Sequence, residues 1–141
     1  MFSLETLVPA LPLASTPVAM PLIILAFVIG TCLGSFAQAA ALRLNRDEDF
    51  IRAPSRCRGC GNALGVIDNQ PLLGWLKTLG KCRQCGARFS VMYMVVELIM
   101  GGMTAVLVAW FSLPVAVALI IAMVLIMICA LTDIDKMLLH L

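Results

Sequence analysis

Four of the six cysteines form two pairs whose spacing is typical of metal ligands. The pairs are C-R-G-C (Cys57 and Cys60) and C-R-Q-C (Cys82 and Cys85), with 21 residues between them and a glycine directly after each. Two such pairs predict a four-cysteine zinc site. Four thiolates fill the coordination sphere of zinc, so the metal would serve structure and leave no position for water. A thiol–disulfide redox role for the two pairs is the alternative interpretation.

Three carboxylates in or beside apolar runs are the second candidates for chemistry. Asp133 and Asp135 close one apolar run, and Glu97 lies inside another. Two carboxylates that share a proton and hold one water can act together as general acid and general base. Asp133 and Asp135 cannot be that pair on a helix, because side chains at i and i+2 do not face each other. Glu97 is either a functional intramembrane acid or a hydrogen-bonded residue that ties its helix to a neighbour.

The elements that must position these side chains are predicted to be membrane helices. The chain is 62% hydrophobic and 13% charged, a composition far more apolar than that of soluble domains. Three segments are long and apolar enough to cross the hydrocarbon core of a lipid bilayer, at about 21–42, 91–111 and 114–134. Gly30 and Gly34 in the first of them have the G-x-x-x-G spacing of closely packed helices.

Nearly all of the charge lies in one polar segment, residues 43–90. It holds nine of the ten Lys and Arg and four carboxylates, a net charge of +5. No aromatic-rich basic motif accompanies these cations, so nucleic acid is not an expected partner. Lys and Arg favour the cytoplasmic side of a membrane, which predicts a cytoplasmic 43–90 segment and an extracytoplasmic segment 1–20. Residues 1–20 contain no Lys or Arg, so no cleavable signal peptide is expected.

The predicted fold class follows from these segments. It is an all-α polytopic membrane protein with three transmembrane helices and a small cytoplasmic zinc-knuckle loop domain between the first two. In this arrangement Asp133 and Asp135 lie at the cytoplasmic boundary, at the same face of the membrane as the cysteines. Asp133 is interpreted as a helix-end boundary residue.

Taken in order, six sequence blocks resemble the bacterial type IV prepilin peptidases from about Gly30 onward. The blocks are G-S-F, R-C-R-G-C-G, D-N-Q-P-L-L-G-W-L, G-K-C-R-Q-C-G, Y-M-V-V-E-L-I-M-G and A-L-T-D-I-D. The resemblance implies a multi-pass enzyme of the bacterial inner membrane that cleaves the leader peptides of prepilins or pseudopilins at the cytoplasmic face. It also implies two catalytic aspartates and, in many members, N-methylation of the new N-terminus with S-adenosylmethionine.

The resemblance places one catalytic aspartate in this chain. Ile134 and Asp135 match the start of the family motif I-D-x5-L-P-D, of which 135–141 would be the first part. The later motif G-x-G-D, which carries the second aspartate, does not occur in the 141 residues. We therefore expect an N-terminal portion of the enzyme that does not cleave prepilins alone, or one half of a split enzyme that needs its missing C-terminal half. A non-catalytic, zinc-containing membrane scaffold is the alternative.

Overall fold

A computed structural model describes residues 19–46, 55–57, 59–65, 68 and 70–139. Four helices occur in this part of the chain: α1 (Ala19–Leu44), α2 (Leu73–Thr78), α3 (Met92–Trp110) and α4 (Leu113–Leu139). The described residues contain no strand and only two isolated β-bridges. The predicted all-α class is therefore confirmed.

Three of the helices are long and apolar enough to cross a membrane. They are α1, α3 and the Leu113–Ile134 part of α4, with mean hydropathies of 2.2, 1.9 and 3.0. A helix satisfies all its backbone hydrogen bonds internally, which is what a lipid-embedded segment requires. The prediction of three membrane-spanning helices is confirmed, whereas most of the predicted segment 1–20 lies outside the described residues.

α1 and α3 pack directly against each other through small residues. A Cβ atom added to Gly30 would lie 2.6 Å from the Met100 carbonyl oxygen, and one added to Gly101 would lie 2.7 Å from the Thr31 side chain. Gly34 faces Met100 as well, and Met100 is fully buried. The G-x-x-x-G pair is therefore part of a close helix–helix contact within the chain.

Two side-chain amides connect the helices at the end where α1 enters the polar segment. The buried Gln38 side chain donates a hydrogen bond of 3.0 Å to the Tyr93 carbonyl oxygen near the start of α3. Asn45 donates one of 3.1 Å to the Thr132 carbonyl oxygen in α4. Asp133 thus lies in α4 beside the end of α1, at the same end of the helices as the polar segment.

The structure adds two helical features beyond the predicted elements. The short helix α2 lies inside the polar segment, where the sequence indicated only a loop. α4 also continues through Asp133 and Asp135 to Leu139 instead of ending near residue 134. No glycine or proline follows Pro114 in this helix. An aspartate within a helix costs only about 0.5 kcal/mol relative to alanine, so the two aspartates do not end it.

Candidate metal centre and adjoining cavity

The two cysteine pairs lie in two loops with the same backbone hydrogen bonds. In the first loop the Cys57 N–H donates to the Asn62 carbonyl oxygen, and the Gly61 N–H donates to the Cys57 carbonyl oxygen, both at 2.9 Å. In the second loop the Cys82 N–H donates to the Ala87 carbonyl oxygen at 2.8 Å, and the Gly86 N–H donates to the Cys82 carbonyl oxygen at 2.9 Å.

Each loop turns at the glycine that follows its second cysteine. Gly61 has a φ of 71° and Gly86 a φ of 72°. This left-handed backbone conformation favours glycine, because a residue without Cβ adopts it at little cost. The glycine after each cysteine pair therefore provides the positive-φ turn of its loop.

The two loops bring all four sulfur atoms together. Cys57 Sγ lies 3.7 Å from Cys85 Sγ, and Cys60 Sγ lies 4.0 Å from Cys82 Sγ. All four sulfurs lie within 4.8 Å of one another. A tetrahedral ion with metal–sulfur bonds of about 2.3 Å has sulfur–sulfur edges of roughly 3.8 Å. The cluster could therefore hold one metal ion, whereas disulfide bonds would need sulfurs about 2.05 Å apart.

The pKa values of the Cys57 and Cys85 thiols are shifted in opposite directions. The backbone N–H groups of Cys60 and Gly59 hydrogen-bond the Cys57 sulfur and lower its pKa to about 6. The Ala87 N–H acts in the lowering direction on Cys85, but burial and the three neighbouring sulfurs together raise the pKa of Cys85 to about 12. Cys85 must therefore release a proton when a metal binds, and metal affinity should rise with pH.

Glu97 connects α3 to the polar segment through a hydrogen bond to a strained turn. Its Oε2 accepts a hydrogen bond of 2.8 Å from the Leu72 N–H. Leu72 has φ 57° and ψ −51°, and the next N–H donates to the Pro71 carbonyl oxygen. This is a γ-turn of the rare, positive-φ kind, a conformation that persists only where surrounding contacts hold it.

Replacement of Glu97 tests this connection. Glu97→Gln keeps an oxygen acceptor for the Leu72 N–H, whereas Glu97→Leu removes it. We expect Glu97→Leu to lower the free energy of unfolding by about 1–3 kcal/mol, because the amide loses its partner, and to speed amide hydrogen exchange around Leu72. Glu97→Gln should show a smaller effect on both measurements. Equal effects of the two variants would mean that the hydrogen bond is not what stabilises this contact.

A cavity of about 640 Å³ separates the cysteine loops from the membrane helices. Its lining includes Cys57 and Gly59 from the first cysteine loop, Trp75 from α2, and Tyr93 and Glu97 from α3. α1 contributes a further wall that runs from Cys32 to Arg43, and Arg46 in the turn after α1 also lines the cavity. The candidate metal centre, α2 and Glu97 therefore border a single cavity.

Glu97 and the two aspartates belong to different helices, α3 and α4. Glu97 is buried in the α1–α3 contact with 7% of its surface exposed, whereas Asp133 is exposed on α4. Asp135 belongs to α4, two residues beyond Asp133. Glu97 accepts the Leu72 N–H, and no described contact joins it to Asp133. Both interpretations of Glu97 stay predictions.

Comparison with known proteins decides the family of this chain. The bacterial peptidase A24 N-terminal domain matches residues 28–111, more than half of the sequence. The chain belongs to this family. The matched region contains the Gly30–Gly34 pair, both cysteine loops and Glu97, and the expected resemblance to prepilin peptidases is confirmed.

Curated relatives of this chain are named prepilin leader peptidase/N-methyltransferase. A prepilin leader peptidase/N-methyltransferase of Myxococcus xanthus is 44% identical over 75 residues, covering 53% of this chain and 22% of the relative. One of Bacillus subtilis is 34% identical over 117 residues, covering 79% of this chain and 46% of the relative. One of Aeromonas hydrophila is 32% identical over 144 residues, covering 82% of this chain and 48% of the relative. The chain thus spans less than half of each of these relatives. No solved structure matches it.

Proposed function

We propose that this chain forms the N-terminal part of a membrane aspartic endopeptidase that removes the leader peptides of type IV prepilins or pseudopilins. The match to the peptidase A24 N-terminal domain over residues 28–111 carries this proposal. Relatives named prepilin leader peptidase/N-methyltransferase support it. Three apolar helices agree with a multi-pass protein of the bacterial inner membrane. The +5 charge of the polar segment favours a cytoplasmic location for the cysteine loops.

Asp135 is the residue we propose as one of the two catalytic carboxylates. The ionised member of the pair accepts a proton from the attacking water while the protonated member donates one to the carbonyl oxygen of the scissile bond. Asp133 cannot be the partner on the same helix, two residues away. The second carboxylate would come from a segment outside these 141 residues, on the same polypeptide or on a second protein.

The metal in this proposal is zinc with a structural role. Four cysteine thiolates are the ligand set of structural zinc sites, and the sulfur distances of 3.7 and 4.0 Å agree with a tetrahedral ion. Cys57, Cys60, Cys82 and Cys85 would fill every position, so the zinc orders the loops and takes no part in hydrolysis. S-adenosylmethionine enters through the family resemblance, as methyl donor for N-methylation of the cleaved pilin.

A substitution at Asp135 tests the catalytic assignment. The natural gene product that contains these residues is expressed with a prepilin in a host without its own prepilin peptidase, and leader removal is followed by gel mobility. We expect Asp135→Asn to lower cleavage by about 10²–10⁴-fold, the usual contribution of a proton-transferring group. Asp133→Asn is the matched control and should retain activity.

The same assay tests whether the 141 residues are sufficient. We expect no leader cleavage by this segment expressed alone, because it lacks the second carboxylate. Cleavage by the segment alone would contradict that part of the proposal. Full activity of the Asp135→Asn variant would remove Asp135 from the mechanism. An intact, zinc-loaded gene product without any activity would favour the scaffold interpretation.

A further inference from the structure

The face of α1 that lines the cavity changes from apolar to cationic along the helix. Cys32, Phe36, Ala39 and Arg43 all line the cavity, and their spacing places them on successive turns of one helix face. The distance along the axis from the first to the last is roughly 16 Å, from the helical rise of 1.5 Å per residue. Because α1 is apolar enough to span a membrane, this face leads from hydrocarbon depth to the end of the span.

Arginines line the polar end of the same cavity. Two belong to the end of α1 and its following turn, and one flanks each cysteine loop: Arg43, Arg46, Arg56 and Arg88. Among the described lining residues only Asp68 and Glu97 are carboxylates. Asp68 pairs at 3.0 Å with Arg83, which does not line the cavity. Glu97 accepts the Leu72 N–H. The described lining therefore has more cations than carboxylates, and both carboxylates already have partners.

This combination of charge, apolar wall and location fits an anionic amphiphile. Guanidinium groups bind phosphate through paired hydrogen bonds. A volume of about 640 Å³ lies within the usual range of small-ligand sites, roughly 300–1,000 Å³. Phe36 is 46% exposed toward this side of α1, where an acyl chain would cover it. A soluble phosphate compound would use the arginines but leave the apolar wall uncovered.

We propose that this cavity binds the phosphate headgroup of an acidic phospholipid, with an acyl chain along the Cys32–Phe36 face of α1. Basic pockets at the membrane surface of a multi-helix protein attract such headgroups, and each nearby Lys or Arg contributes measurably. The lipid would connect the cysteine loops to the membrane helices, because Arg56 and Arg88 flank the loops and the Cys32–Phe36 face belongs to α1.

The test measures lipid binding by the purified, metal-loaded protein in detergent. The protein is incubated with equal amounts of phosphatidylglycerol and phosphatidylcholine of the same acyl chains, and bound lipids are counted by native mass spectrometry. Two paired variants are compared. Arg46→Gln with Arg88→Gln removes two lining charges, whereas Lys77→Gln with Lys81→Gln removes two exposed charges from the same polar segment that do not line this cavity.

We expect the unmodified protein and the double lysine variant to prefer phosphatidylglycerol. The double arginine variant should bind phosphatidylglycerol about tenfold less than the unmodified protein does. Metal content is measured for each variant. If the variant with both arginines replaced loses its metal, lipid binding by the single variant Arg46→Gln is compared instead. Arg46 lies beyond the end of α1 and outside the cysteine loops, so its replacement should leave the metal in place.

Three results would overturn the proposal. Equal binding of both lipids by the unmodified protein would show that the cavity does not select an anionic headgroup. If the double lysine variant lost as much phosphatidylglycerol binding as the double arginine variant, the preference would come from diffuse surface charge and not from the cavity. Displacement of the lipid by glycerol 3-phosphate at matched concentration would identify a free phosphate compound as the ligand, without a role for the apolar wall.

Discussion

Replacement of Cys57 by serine is expected to abolish zinc binding and to unfold the cysteine loops. The unmodified protein should carry about one zinc ion per chain, as a closed four-cysteine site does, and the Cys57→Ser variant far less. Cys57 is 2% exposed and its sulfur contacts the Cys85 sulfur, so no other side chain can take its place without rearrangement of the loop. Metal analysis by mass spectrometry measures the loss directly.

The expected effect is large because the polar segment has little else to stabilise it. Of the described residues between α1 and α3, few side chains are buried, and Cys57 and Cys82 are the buried hydrophobic ones. Structural zinc contributes about 10–16 kcal/mol of apparent binding free energy in small zinc-finger peptides. Without it, residues 55–90 should become sensitive to limited proteolysis while the helices α1, α3 and α4 remain protected.

Cys129→Ser is the matched control for this experiment. Cys129 is an exposed, single cysteine of α4 and lies outside the sulfur cluster, so its replacement should leave both the zinc content and the proteolysis pattern unchanged. If Cys57→Ser retained a full complement of zinc, the four-cysteine site would be wrong. A metal-free protein whose C-x-x-C pairs cycle readily between thiol and disulfide would favour the redox alternative.

A second large effect is expected when a methyl group is added at the α1–α3 contact. The Cβ atom of Gly30→Ala would lie 2.6 Å from both the Met100 carbonyl oxygen and the Thr104 hydroxyl. Neither atom can move away easily, because Met100 O is helix backbone and the buried Thr104 hydroxyl donates to it at 2.8 Å. We expect the helices to separate locally, at a cost of about 1–3 kcal/mol, as for other overpacked cores.

Gly102→Ala provides a sensitive comparison on the facing helix. Apart from the backbone of its own helix, no atom of the described residues lies within 4 Å of a Cβ added to Gly102. This change should therefore be neutral or stabilise α3 by roughly 0.5–1 kcal/mol, the usual difference between glycine and alanine in a helix. Thermal or denaturant unfolding in mixed micelles measures both variants. A similar loss of stability for the two would mean that close helix contact is not the reason for Gly30.

Much of the architecture could be predicted from local sequence patterns. Long apolar runs predicted the three helices, because the hydrocarbon core requires about 20 such residues per span. The spacing of Cys57, Cys60, Cys82 and Cys85 predicted one cluster, and the structure places the four sulfurs within 4.8 Å. Both patterns are short-range and depend on residue type alone, which is why one sequence is enough to find them.

The helix boundary near the aspartates was less predictable. The apolar run ends near residue 134, but α4 continues to Leu139. Hydropathy reports where a helix leaves the hydrocarbon, whereas a helix ends where capping residues, glycine or proline interrupt its hydrogen bonds. The short helix α2 was missed for a related reason: six residues within a polar segment carry almost no periodic signal.

Residue types and spacing were sufficient to establish the membrane class, the two cysteine loops and the family resemblance. Only the tertiary structure showed that Glu97 accepts the N–H of Leu72, 25 residues earlier, and that arginines from α1 and from both loops line one cavity. These features join side chains that are distant in the chain, and their proximity depends on how closely α1 and α3 pack. That distance is set by Gly30, Gly34 and Gly101 together, so it becomes visible only when the helices are placed side by side.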